Sequence, residues 1–329
     1  MANIERFIGP LGVGSNEDIF ALLDYQSNSG YPRYDATNGY GGGKCIRSGS
    51  SPQYYGINCT AAKTKVVGFW AKNTSTCNYS TVLGYTLLIF TGPDIRIYNT
   101  SAGFDIRRGS TQIATDADFV TSDLTHVEVK LFSDSANGTL EIKLNGTSVY
   151  AGTGLNTGGQ DITRIDFGNC NNSNHYNSGI FIADDWVGAL IPKLLVPNGD
   201  DSTQLTPSAG SDNYAMVDET EQDGDTTYVE SDTSGHKDIY TFSDLASGFE
   251  PKVISVVMVA KEADAGGKGL KILSVQDATE RTHLTIDPLP AVYPATATAG
   301  QFATLDACPD ATALSRTKLN AMKFGVEVV

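Results

Sequence analysis

Asp184 and Asp185 close an apolar run, Phe181-Ile-Ala-Asp-Asp-Trp-Val187. Adjacent carboxylates at a strand end could each offer an oxygen to a calcium ion, with backbone carbonyls completing the shell. The same pair could instead accept hydrogen bonds from loop amides at a sandwich corner, and this use is the more common. Glycoside hydrolysis would need two carboxylates facing one another across a cleft, often delivered by an E-x-D-x-x-E run on one strand. No such run occurs; Glu128 and Glu141 stand singly beside lysines and read as a solvated strand face. Asp218, Glu219, Glu221, Asp223 and Asp225 form an acidic loop without the spacing of a calcium-binding helix-loop-helix. His126, His175, His236 and His283 are too dispersed for a metal triad, no GxSxG nucleophile signal accompanies them, and surface positions account for them. The expectation is a protein that is not an enzyme and needs no cofactor, calcium at Asp184 and Asp185 being the one candidate.

Aromatic residues carry more binding content. Tyr31, Tyr34, Tyr40, Tyr54 and Tyr55 lie among glycines and serines, where a ring can stack on a sugar or pack against a neighbouring subunit. Subunit packing is the more frequent outcome. The five cysteines, Cys45, Cys59, Cys77, Cys170 and Cys308, are an odd set without CxxC spacing, which indicates no zinc site. One disulfide among Cys45, Cys59 and Cys77 is an option; free buried thiols are the expectation. Asn-x-Ser/Thr triplets at Asn58, Asn73, Asn99, Asn137 and Asn145 read as incidental to a β-protein rich in Asn and Thr.

The elements that must position these groups are strands. In Gly138-Thr-Leu-Glu-Ile-Lys-Leu-Asn-Gly-Thr-Ser-Val-Tyr-Ala-Gly152, the Asn145-Gly146 pair supplies the two positive-φ positions of a type I′ turn. Leu144 should then face Thr147, Ile142 face Val149 and Leu140 face Ala151. Glu141 with Tyr150 and Lys143 with Ser148 occupy the other face, giving a sheet with one dry and one wet side. His126–Phe132 and Ile162–Gly168 alternate with the same period of two.

Lys65–Ala71, Thr81–Phe90, Ile95–Tyr98, Phe104–Arg107 and Gly179–Val187 continue the strand signal. After Ile191-Pro192 the composition turns polar, and Val196–Thr233 reads as extended strand and loop. Val253–Ala260 is apolar on both faces, the pattern of a central strand buried on both sides. Gly269–Val275, Thr282–Ile286 and Lys323–Val329 follow as strands, and Ser315–Met322 is the one short helix.

A chain of 329 residues with 34 glycines, 40% hydrophobic and 19% charged, suits many short strands in two domains. The expected fold class is all-β, with an irregular lead-in over 1–50, a β-sandwich over 51–191 and a smaller antiparallel β-sandwich over 192–329. A formal net charge of −15 argues against a phosphate-binding surface, so no nucleic-acid partner is expected. No stretch approaches the roughly 20 apolar residues of a membrane span, and the opening Met1–Pro10 lacks the pattern of a secretion signal, so synthesis in a cytoplasm is expected.

Two resemblances follow from these residues. The region from about 50 to 190 resembles the concanavalin A-like lectin/glucanase jelly roll in its laminin-G-like form, carried by Val127–Phe132, the Asn-Gly hairpin, Ile162–Gly168 and Phe181–Val187. From about Pro192 onward the chain is similar to the carboxy-terminal part of structural proteins of tailed bacteriophages. The carrying segments are Leu195–Gly199, Leu205–Gly210, Asn213–Val217, Asp225–Val229 and Leu319–Val326, in that order. Where such sequences often carry Trp before the Thr-Pro pair, this chain has Leu205.

The resemblance implies a homo-oligomeric virion component assembled in the host cytoplasm, on tail or capsid, whose partners are its own copies, other virion proteins and host surface glycans. It transfers no catalytic residue. A glycan-degrading enzyme or a free-standing lectin on the same jelly roll are the competing readings; the enzyme requires an Asp or Glu pair lining the concave sheet, and the lectin a stable monomer or dimer acting alone.

Overall fold

In the computed structural model, the described residues are 2–8, 23–26, 33–40, 44–48, 54–73, 85–100, 102–117, 123–168, 175–220, 223–263, 267–291, 302–305 and 307–329. They form two units, one built on Leu23–Pro192 with the N-terminal strand and one on Lys193–Val329.

The first unit contains β1 (Ile4–Ile8), β2 (Tyr25–Gln26), β3 (Arg33–Asp35), β4 (Cys45–Ser48), β5 (Tyr55–Ala62), β6 (Thr64–Asn73), β7 (Tyr85–Thr91) and β8 (Ile95–Thr100). It continues with β9 (Gly103–Arg108), β10 (Thr111–Asp116), β11 (Thr125–Phe132), β12 (Gly138–Leu144), β13 (Thr147–Leu155), β14 (Ile162–Phe167) and β15 (His175–Ala183). An eight-stranded sheet runs β13-β12-β11-β6-β15-β4-β3 with β1 beside β15, and a seven-stranded sheet runs β10-β9-β8-β7-β14-β5-β2. This is a two-sheet jelly-roll sandwich, and β1 to β4 belong to its sheets.

Alternation drives the packing. Val67, Phe69 and Ala71 of β6 and Val127, Val129 and Leu131 of β11 are fully buried, as are Phe90, Ile95, Ile97, Ile106, Ile165 and Phe167 of the opposite sheet. Phe69 meets Phe167 edge to face with ring centroids 5.2 Å apart. Each of the larger side chains among these, the valines, leucine, isoleucines and phenylalanines, contributes about 1.5–3 kcal/mol by leaving water.

The hairpin turn is of the expected kind, with Asn145 at φ 50° and Gly146 at φ 83°. Leu144 pairs with Thr147 and Lys143 with Ser148 as expected, but a β-bulge then shifts the register. Ile142 therefore pairs with Tyr150 and Leu140 with Gly152, not with Val149 and Ala151. The turn sequence sets the first pairs only, because an inserted residue leaves each buried face intact while sliding the partner strand.

The second unit holds β16 (Pro197–Ser202), β17 (Thr206–Pro207), β18 (Val229–Glu230), β19 (Lys237–Phe242), β20 (Ile254–Val257), β21 (Leu270–Gln276), β22 (Thr279–Ile286), β23 (Phe302–Leu305), α1 (Arg316–Ala321) and β24 (Lys323–Val328). Its main sheet is antiparallel, in the order β16-β19-β24-β21-β22. One face, with Ile272 and Phe324, packs with Leu245, Leu305, Cys308, Leu319 and Met322 into a single apolar cluster. Ser315 caps the helix by accepting the Lys318 N–H at 3.3 Å.

Val253–Ala260 departs from expectation. Only Ile254–Val257 is a strand, among the described residues it pairs with β23 alone, and Val257 and Val259 are 42% and 40% exposed. Ile254, Val256 and Met258 pack toward the cluster while alternate valines face outward, so a run apolar on both faces is here buried on one. The central place in the sheet belongs to β24.

A fully buried carboxylate organises the polar stretch that precedes β19. Asp238 Oδ1 accepts the Gln204 and Leu205 amides at 2.7 and 2.9 Å, and Oδ2 accepts Asn213 Nδ2 at 2.6 Å and the Tyr240 hydroxyl at 2.9 Å. Asp200 in turn accepts the Asn213 and Tyr214 amides at 2.9 and 2.7 Å. Removing a buried acceptor strands its donors. Asp238→Ala should lower the unfolding free energy of this unit by about 2–4 kcal/mol and accelerate hydrogen exchange at the Gln204 and Leu205 amides; unchanged exchange there would contradict the assignment.

Candidate functional site

Because the alternate residues of β6 and β11 fill the core, Val66, Gly68, Trp70 and Lys72 of β6 and His126, Glu128 and Lys130 of β11 point to the outer face of the eight-stranded sheet. Register brings the groups together: His126 and Ser178 lie opposite Trp70, Glu128 and Phe181 opposite Gly68, and Tyr176 opposite Lys72. Trp70 packs on His126 at 5.1 Å between ring centroids, and His126 on Phe181 at 6.4 Å. A Cβ at Gly68 would sit 2.1 Å from the Phe181 ring, so glycine is what admits that ring.

Tyr40 reaches the same face from the turn after β3. Asp35 Oδ1 accepts the Thr37 and Asn38 amides, each at 3.0 Å, and the Tyr40 N–H donates to Ser178 Oγ at 3.2 Å. The Tyr40 ring then lies 4.4 Å from that of Trp70, tilted by 46°.

Residues 184–190 cross this face as a strap. Glu128 Oε1 accepts the Val187 and Gly188 amides at 3.1 and 2.9 Å, and Trp70 Nε1 donates to the Leu190 carbonyl at 2.7 Å. Trp186 is clasped by lysines, with Lys143 Nζ 3.6 Å and Lys130 Nζ 5.8 Å from its ring centroid. The strap leaves His126 and Glu128 only 1% and 2% exposed, while Tyr40, Trp70 and Trp186 remain half-exposed. His126 Nε2 has no hydrogen-bond partner among the described residues. Burial pushes the His126 imidazole down to about 4, so the ring is neutral at pH 7.

Of the five tyrosines expected to make contacts, Tyr40 joins this face. Tyr31 lies outside the described residues, and for Tyr34 only the backbone is described, paired with Ile46. Tyr54 is half-buried before β5. Tyr55 is no surface contact: it is 1% exposed, stacks on Phe167 at 5.2 Å, and its hydroxyl accepts Asn177 Nδ2 at 2.6 Å. Tyr55 opens β5 and takes the inward position there.

Asp184 accepts the Asn3 N–H at 2.8 Å, and Asp185 accepts the Trp186 N–H at 2.9 Å and Lys130 Nζ at 2.7 Å. The Lys130 hydrogen bond, with the Trp186 amide, holds the Asp185 carboxyl below its ordinary range. The two carboxylates thus serve loop amides and a lysine. Among the described residues no three His, Cys, Asp or Glu side chains form a group that could hold a metal.

Cys45 and Cys308 are buried free thiols and Cys59 a half-buried one; Cys77 and Cys170 lie outside the described residues. Burial pushes the Cys45 thiol up to about 12 and Cys59 up to about 11, leaving both poor nucleophiles.

Two sequence expectations need correction here. Glu128 is not solvated, since the strap that covers it supplies its hydrogen bonds. His126 and His175 are not on the surface. The reading missed Trp70, His126, Phe181 and Trp186 as a group, although the alternation of Lys65–Ala71 places Trp70 opposite to Phe69.

Glu128 and Glu141 are diagonal neighbours on β11 and β12, about 7–8 Å apart by sheet geometry, within the range of a hydrolytic pair. Glu128 is nevertheless sealed under the strap. The outer face of the seven-stranded sheet carries carboxylates already committed to guanidinium groups two residues away. Arg96 bonds Asp94 at 2.8 Å, Arg107 bonds Asp105 at 3.0 Å, and Arg164 bonds Asp166 at 2.6 and 3.0 Å.

No protein-family model matches the chain, and no curated protein does. Among solved structures, a cellulose-induced protein is 18% identical over 48% of this chain and 88% of its own length, with a TM-score of 0.40. An alginate lyase solved with an alginate trisaccharide is 14% identical over 55% and 98%, with a TM-score of 0.39. A carbohydrate-binding module from Bacillus subtilis is 9% identical over 49% and 96%, with a TM-score of 0.32.

The buried histidines make this unit sensitive to acid. Burial depresses His126 and His175 to about 4 from an ordinary 6.5, so between these values the unfolded chain binds protons that the folded one refuses. Their stability contribution is complete above pH 6.5 and is lost as the pH falls toward 4, by up to about 1.4 kcal/mol per pH unit for each ring. Urea midpoints read by tryptophan emission should fall across this window, and His126→Phe should reduce the slope; a flat profile would contradict the burial of these rings.

Proposed function

We propose that this chain is a non-enzymatic component of a tailed-phage particle, and that its jelly-roll unit binds saccharides on the outer face of the eight-stranded sheet. The observation that carries the glycan reading is the gathering of half-exposed rings there. Tyr40 and Trp70 lie together beside the Ser178 hydroxyl, and Trp186, the chain's other tryptophan, sits on the same face. Aromatic faces stack on the C–H surface of a sugar ring, and flanking polar groups fix its orientation.

The non-enzymatic part rests on the carboxylates: Glu128 is enclosed by the strap amides, and Asp94, Asp105 and Asp166 are each bound to an arginine. The particle part rests on the similarity of the ordered segments from Leu195 to Val326 to phage structural proteins.

Glycan-array screening followed by calorimetry tests the binding. The wild-type chain should bind at least one saccharide with micromolar to millimolar affinity, and Trp70→Ala or Tyr40→Ala should weaken it at least tenfold while circular dichroism stays native. Absence of any binder would overturn the glycan reading. Mass spectrometry of purified particles tests the other half, and absence of this polypeptide from them would overturn the virion assignment.

A further inference from the structure

We infer that β20 is a contact surface for a second copy of this chain, which adds its own β20 antiparallel about a two-fold axis at Val257. The run from Val253 to Ala260 is apolar at every position but Ser255, yet only Ile254, Val256 and Met258 pack on the apolar cluster of the second unit. Val257 and Val259 point the other way and are 42% and 40% exposed. Among the described residues the only other large apolar side chains so exposed are Ile191 and Leu194. The core accounts for the inward half of the run and leaves the outward half without a reason.

The edge of β20 is equally undefended. Among the described residues it pairs with β23 alone, so one side of its backbone faces no ladder partner there. Outer strands are ordinarily protected from foreign pairing by charge, proline or a bulge. The five-stranded sheet of the same unit follows that rule: its outer strand β16 carries Pro197, Asp200 and Asp201, and its outer strand β22 carries Glu280 and Arg281. Between Lys252 and Lys261 the β20 run has neither a charge nor a proline.

Charge at the two ends of the run selects a second copy and its register. Antiparallel pairing of identical strands is isologous, so one two-fold axis satisfies both copies. With Val257 on the axis, Val256 of one copy faces Met258 of the other and Ser255 faces Val259, which keeps inward residues beside inward ones and outward beside outward. The same register sets Lys252 of each copy opposite Glu262 of the other, an opposite-charge pair at both ends. Lys252 is exposed, and the neighbouring Lys261 is already held by Asp225 at 2.6 Å. Moving the axis to Val256 would set Glu250 against Glu262 instead. A chain of formal net charge −15 repels its own copies over most of its surface, and an uncharged run avoids that cost. So short a strand pair buries less than the roughly 1,200–2,000 Å² of a stable free complex, so the expected dissociation constant is on the order of 100 μM.

The test uses the full chain with cysteine introduced at the two outward valines, which are almost equally exposed. Val257→Cys sets the new thiols directly opposite one another, with Cβ atoms about 4.5–5.5 Å apart, where a small adjustment allows a disulfide. Val259→Cys sets them four strand positions out of register, about 13 Å apart. Under mild oxidation at about 200 μM, Val257→Cys should give a covalent dimer on a non-reducing gel, while Val259→Cys and the wild-type chain with its own cysteines should not. Sedimentation equilibrium of the wild type should show a reversible dimer. Val257→Lys and Lys252→Glu should each raise its dissociation constant at least fivefold while circular dichroism stays native. A wild-type chain that remains monomeric up to about 1 mM, cross-linking that is absent at 257 or equal at 257 and 259, or a dimer untouched by Val257→Lys would overturn the inference. Saccharide binding is read separately, so each of these outcomes leaves the glycan reading standing.

Discussion

The contact of Phe69 with Phe167 decides what the outside of the jelly roll can be. Their rings, one from each sheet, meet edge to face at 5.2 Å in a core where both are fully buried. Strand side chains alternate, so seating Phe69 inward commits Gly68, Trp70 and Lys72 to the outer face, and pairing with β11 and β15 commits His126, Glu128, Tyr176 and Ser178 likewise. A slip of one residue would send Trp70 into the core and Phe69 into water, undoing the aromatic surface and the sandwich together.

Both units use a carboxylate on a sheet strand to fasten a segment that has no ladder of its own. Glu128 of β11 accepts the Val187 and Gly188 amides, and Asp238 of β19 accepts those of Gln204 and Leu205. Peptide groups without strand or helix partners must find acceptors elsewhere when covered, and a carboxylate with several lone pairs can serve two of them through one oxygen. These acids are parts of the scaffold, although their residue type alone suggests chemistry.

The sequence made the strands legible and their surroundings much less so. Asn145-Gly146 announced its turn, and Ser315 announced the start of the short helix, because both depend on neighbours along the chain. The bulge that moves Tyr150 opposite Ile142 left no such local mark. Tyr54 and Tyr55 could not be told apart by type, since which of two adjacent rings is buried depends on the pairing of β5 with β14 and β2. Glu128 looked like an ordinary surface acid because the strap that buries it comes from sixty residues away.

The central claim is that saccharide is bound on the outer face of the eight-stranded sheet. Trp70 and Trp186 are the chain's two tryptophans and both lie there, so their emission reports on that face directly. The decisive measurement is a fluorescence titration with a saccharide whose affinity is known from calorimetry. The account predicts a saturable change in emission with the calorimetric dissociation constant. A saccharide that binds by calorimetry yet leaves the emission untouched would contradict it and place the binding surface elsewhere.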